Sequence, residues 1–83
     1  MVNEQKFLDV ALANRGKVFE LKSLLDVFAE NEVFGQGEHF QGNKPFLTVL
    51  KEDGYCVGRD GMNYRVKLGL VSGSCYFDIS LMD

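Results

Sequence analysis

The sequence predicts an α+β domain, and two observations carry that prediction. Through roughly the first fifty residues, apolar side chains recur three and four apart, the period of a helix with one buried face. From Tyr55 onward they alternate with polar ones at a period of two, the period of a half-buried strand. At 83 residues the chain makes a single domain, 1–83. A core of this size removes about 60–65% of the unfolded chain's surface from water, which suffices for a marginally stable fold.

The first helix begins at Asn3, whose side-chain oxygen suits a cap for a free backbone N–H one turn in. Glu4 follows, where the helix dipole favours an acid. Phe7, Leu8, Ala11 and Leu12 form its buried stripe, and Gly16 suits the left-handed residue past its end. "KVFEL" predicts one brief strand. A second helix runs from about Leu21 to Glu30, with Leu21, Leu24, Leu25 and Phe28 on one face. Residues 31–43 then read as a long loop with Gly35, Gly37 and Gly42, pinned by Phe34 and Phe40. Asn43 is placed to cap a third helix and Pro45 suits its first turn. Phe46, Leu47, Val49 and Leu50 make the buried stripe of that helix, and Gly54 ends it.

An antiparallel meander follows. Tyr55 and Val57 flank Cys56 on the first strand, and Asp60-Gly61 is a strong hairpin turn. Tyr64, Val66, Leu68 and Leu70 alternate on the second strand. After a turn at Gly73, Cys75, Phe77, Ile79 and Leu81 alternate on the third.

The net charge is −3. Its distribution is uneven: residues 1–42 carry −3, residues 43–67 carry +2, and residues 68–83 carry −2. The basic excess lies on the third helix and the hairpin after it. No apolar run approaches the ~18–20 residues of a membrane span. "MVNEQKF" lacks the basic-then-apolar order of a signal peptide, so the expected compartment is the cytoplasm. There Cys56 and Cys75 are expected to be reduced and half-buried. One histidine, His39, and two distant cysteines make no metal set.

No catalytic pattern stands out. Gly35-Gln36-Gly37 is a fragment of a phosphate-binding loop without the preceding strand, and Ser72-Gly73-Ser74 has no histidine nearby. The chain is expected to be a binder with no cofactor, not an enzyme.

The order helix, short strand, helix, loop, helix, strand, turn, strand resembles that of the winged-helix superfamily. "NRGKVFELKSLLDVF" looks like the end of its first helix, its first strand and its second helix. "NKPFLTVLKEDGYCVGRDGMNYRVKL" is similar to its third helix and β-hairpin wing. The likeness covers roughly residues 4–68 and departs in the long loop before the third helix and in the extra C-terminal strand. It implies a small DNA-binding transcriptional regulator that reads double-stranded DNA with its third helix and wing. Asn43, Lys44, Thr48 and Lys51 would act from the helix, and Arg59, Asn63, Arg65 and Lys67 from the wing. The alternative is a protein-interaction module on the same frame. It would be a modulator or subunit, of the kind carried by phages and mobile elements, of a transcription, replication or defence complex. The extra strand offers an edge for homodimerisation. Asp60, at the tip of the wing, fits a phosphate contact least well.

Overall fold

The computed structural model describes residues 2–35 and 40–82. Three helices and an antiparallel sheet pack face to face around one core. Helix α1 spans Glu4–Ala13. Strand β1 (Phe19–Glu20) runs directly into helix α2 (Leu21–Glu30). A small hairpin, β2 (Phe40–Gln41) and β3 (Lys44–Pro45), precedes helix α3 (Phe46–Glu52). Strands β4 (Tyr55–Arg59), β5 (Met62–Val71) and β6 (Ser74–Met82) complete the chain.

The capping of α1 follows the sequence. Asn3 Oδ1 accepts from the Lys6 backbone N–H at 3.1 Å. The Asn3 N–H donates to the Val33 carbonyl at 2.7 Å, which ties the start of α1 to the chain leaving α2. Helix α3 starts differently. Asn43 does not cap it; Asn43 lies with Gly42 in the two-residue turn of the β2–β3 hairpin, where Gln41 faces Lys44. Gly42 has φ +62°, the positive angle that a type II′ turn needs at its first central residue. Pro45 therefore ends a strand and stands just before the helix, with no side-chain cap bond. The segment 31–43 thus holds part of a hairpin, and Phe34 also bridges Val2. His39 and the side chain of Phe40 lie outside the described residues.

The four-stranded sheet has the order β1-β6-β5-β4. The β4–β5 and β5–β6 hairpins each turn through two residues of positive φ, Asp60-Gly61 and Ser72-Gly73, the geometry of type I′ turns. The C-terminal strand β6 is no appendage. It lies between β5 and β1, with Cys75 facing Phe19 and Ser74 facing Glu20.

Alternation along the strands assigns the two faces of the sheet. Val57, Val66, Leu68, Cys75 and Phe77 are buried beneath the helices. From the helices come Phe7, Leu8, Val10, Ala11, Leu24, Phe28, Phe46 and Leu50. Phe7 is the hub of the aromatic cluster. Its ring centroid lies 5.0 Å from Phe46, 5.7 Å from Tyr55, 5.8 Å from Phe28 and 6.3 Å from Phe77, all edge-to-face. Phe34 joins through Phe28 and Phe46.

The helical stripe of α2 is narrower than the sequence suggests: Leu24 and Phe28 are buried, while Leu21 is exposed at the helix start. Leu70 and Leu81 alternate correctly yet remain exposed, because the strands run past the helices at both ends. Cys75 is buried on the core face. Cys56 is exposed on the opposite face, with its Sγ 3.5 Å from Met82 Sδ.

Candidate nucleic-acid interface

The eight polar residues singled out by sequence do not form one surface. On β5, Asn63, Arg65 and Lys67 are two apart and so project from the outer face of the sheet. Arg59 projects from the other face. It stands opposite Met62 at the end of β4 and reaches helix α1. Its Nη2 lies 2.7 Å from Asp9 Oδ1 and donates to the Gln5 carbonyl at 2.9 Å, and its Nε donates to Gln5 Oε1 at 2.8 Å. The Arg59 side chain is 26% exposed. Gln5 Nε2 in turn donates to the Gly58 carbonyl at 2.9 Å. This cluster joins the hairpin to α1 and leaves little of the guanidinium free.

Lys44 and Arg65 meet at the C-terminal end of α3. Arg65 Nε and Nη2 donate to the Asp53 carbonyl at 3.1 and 2.5 Å. Lys44 Nζ lies 3.5 Å from Glu52 Oε1 and 3.7 Å from Asp53 Oδ2. Lys51 sits in the last turn of the same helix. Cations here complement the partial negative charge of a helix end and satisfy carbonyls that have no partner within the helix. Gly54 makes room for this arrangement. It has φ +81°, and a Cβ built there would lie 3.0 Å from Arg65 Nε and 3.3 Å from the Val66 carbonyl oxygen.

The remaining four candidates stand apart. Asn43 is exposed on the β2–β3 turn and Thr48 is half-buried on α3. Asn63 lies over Gly58, its Oδ1 3.4 Å from where a Cβ would be. Lys67 faces Asp78 across the β5–β6 ladder. The basic excess of residues 43–67 is thus divided between two faces of the sheet. Asp9, Gln5, Glu52 and Asp53 engage three of its five members, Arg59, Lys44 and Arg65. No local pattern marks Gln5 and Asp9 as partners of Arg59, because some fifty residues separate them.

Among the described residues the fold shifts the titration of Tyr55 strongly. Its hydroxyl donates to Glu4 Oε1 at 3.2 Å. Burial, then the Glu4 charge, then that hydrogen bond push its pKa from the usual 10 up to about 12. Because the folded value is raised, the neutral phenol's contribution to stability is complete below pH 10 and disappears as the pH climbs from 10 to 12. In an alkaline titration followed residue by residue, Tyr55 should ionise with a midpoint of about 12. Glu4→Gln should lower its midpoint but leave it above 10, since burial is the larger cause. A Tyr55 midpoint at the usual 10 would contradict this geometry. Burial also raises the Cys75 thiol, while the nearby Lys51 charge opposes the shift.

Among the described residues no charged side chain is buried. Nor do three of His, Cys, Asp or Glu come together there as metal ligands. No helix among them is long and apolar enough to cross a membrane. Comparison with known protein families, curated proteins and solved structures finds no match to this chain.

Proposed function

We propose that this chain is a small protein-interaction module, built on a winged-helix-like frame and acting as a modulator or subunit of a larger complex. One observation carries the reading. Arg59 is engaged by Asp9 and Gln5 and mostly enclosed, while the exposed Arg65 and Lys44 are already engaged by the Asp53 carbonyl and by Glu52 and Asp53, acids whose charge opposes a phosphate. Large apolar side chains, by contrast, stand exposed at both ends of the sheet. Val18, Leu21, Leu70 and Val71 lie around the β5–β6 turn and β1, and Met62, Leu81 and Met82 lie at the other end. Exposed apolar side chains at the ends of a sheet offer apolar area to another protein.

A second reading, a DNA-binding regulator that uses α3 and the β4–β5 hairpin as a wing, has its own support. Lys51 and Lys67 form no ion pair among the described residues, and both lie within the basic segment.

A titration of the chain against random duplex DNA, followed by fluorescence anisotropy at about 50 and 200 mM salt, separates the two. Phosphate contacts release counterions, so binding by this route weakens steeply with salt. The interaction reading expects no saturable binding at either salt. Saturable binding at low salt that falls with salt, and that Lys51→Glu or Lys67→Glu abolishes, would overturn it in favour of the regulator.

A further inference from the structure

We propose that two copies of this chain associate by antiparallel pairing of the open edges of β6, residues 76–82, to form one continuous sheet. This names the partner for the interaction reading above.

The two edges of the sheet differ. The β4 edge is short, five residues, and one of its carbonyls, that of Gly58, already accepts from Gln5 of α1. At the other side β1 covers only Ser74 and Cys75. From Tyr76 to Met82, β6 pairs with β5 on one side. Among the described residues no backbone or side-chain group bonds its other side. A strand edge of this length presents a row of free N–H and C=O groups, a template for another strand. Natural edges are blunted by Lys, Pro or bulges. This segment, "YFDISLM", contains no Lys or Pro, and its register with β5 runs unbroken.

The edge is complementary to itself. About a two-fold axis at Ile79, Tyr76 faces Met82 of the second copy, Phe77 faces Leu81, and Asp78 faces Ser80. Apolar residues then meet apolar ones in two of the three distinct pairs, and Ile79 meets its own copy. The single charge, Asp78, meets a hydroxyl rather than another carboxylate, and Lys67 of its own chain stands beside it on β5. Leu81, 58% exposed in the single chain, comes to face Phe77 of the second copy across the new ladder. Pairing of one β6 edge with the same edge of a second copy is isologous and closes as a symmetric dimer.

Sedimentation velocity over a concentration series tests this. The expected species is a dimer of twice the 9.3 kDa chain mass at tens of micromolar. Leu81→Lys places a charge on the edge at an exposed position and should raise the dissociation constant by at least about tenfold. Leu70→Lys, equally exposed at the far end of the sheet, should leave it unchanged. Amide exchange supplies a measurement without substitution: protection of residues 76–82 should rise with protein concentration. A chain that stays monomeric, or protection there that is independent of concentration, would overturn the proposal and leave the edge for an extended peptide of another protein. A Leu81→Lys dimer as tight as the wild type would overturn it as well. The DNA titration is independent of these outcomes, so loss of the dimer is distinguishable from loss of the interaction reading itself.

Discussion

Phe7→Ala should remove most of the stability of this fold. The ring is fully buried and touches four other aromatic rings, from α2, α3, β4 and β6. Truncating such a phenylalanine costs about 3–5 kcal/mol through lost burial and the cavity left behind. A small domain has about 5–15 kcal/mol in total, and one of this length belongs near the lower end. Urea unfolding followed by circular dichroism should therefore show a midpoint near zero denaturant for Phe7→Ala. Phe7→Leu keeps most of the volume and should lose much less. A Phe7→Ala chain within about 1 kcal/mol of the wild type would mean that the helices do not meet over this ring.

Gly54→Val is the second large effect, and it concerns the junction that carries the basic cluster. Gly54 leaves α3 with φ +81° while its N–H donates to the Val49 carbonyl at 2.8 Å. A left-handed conformation costs an L-residue about 1–2 kcal/mol, and a β-branched one suffers most. The new side chain would also meet the Val66 carbonyl, which cannot yield without breaking the sheet, and the Arg65 side chain, which can. Together these should cost about 2–3 kcal/mol. The Arg65 bonds to the Asp53 carbonyl should loosen with them. Chemical denaturation gives the stability. The exchange rate of the Arg65 Nε–H reports the loosening. An unchanged midpoint would show that α3 and β4 join in some other way.

Much of the architecture was legible because it is local. Asn3 and Lys6, Gly54 after α3, and the Asp60-Gly61 turn are read within a few residues of each other. The period-two runs located Val66, Leu68, Cys75 and Phe77 on the core face for the same reason. The misreadings have physical causes too. Asn43 suits a cap and suits a turn, and only the pairing of Gln41 with Lys44 decides between them. Leu21, Leu70 and Leu81 satisfy the right period, but periodicity does not say where the opposing layer ends. The candidate site was the least legible part. A run of basic residues counts charge without regard to partners. Here Arg59 meets Asp9 and Gln5 across some fifty residues, while Lys44 and Arg65 converge on one helix end that no spacing rule connects.

That division of the basic residues underlies the whole account, and a residue-resolved DNA titration tests it most directly. Nitrogen-15-labelled chain would be titrated with random duplex DNA at about 50 mM salt, where phosphate contacts are strongest. The side-chain Nε–H signals of Arg59 and Arg65 should stay in place. The amides of Lys44, Thr48, Lys51, Asn63 and Lys67 should not shift together either. A saturable, concerted shift of these signals, reversed by salt, would contradict that division and return α3 and the hairpin to the DNA groove.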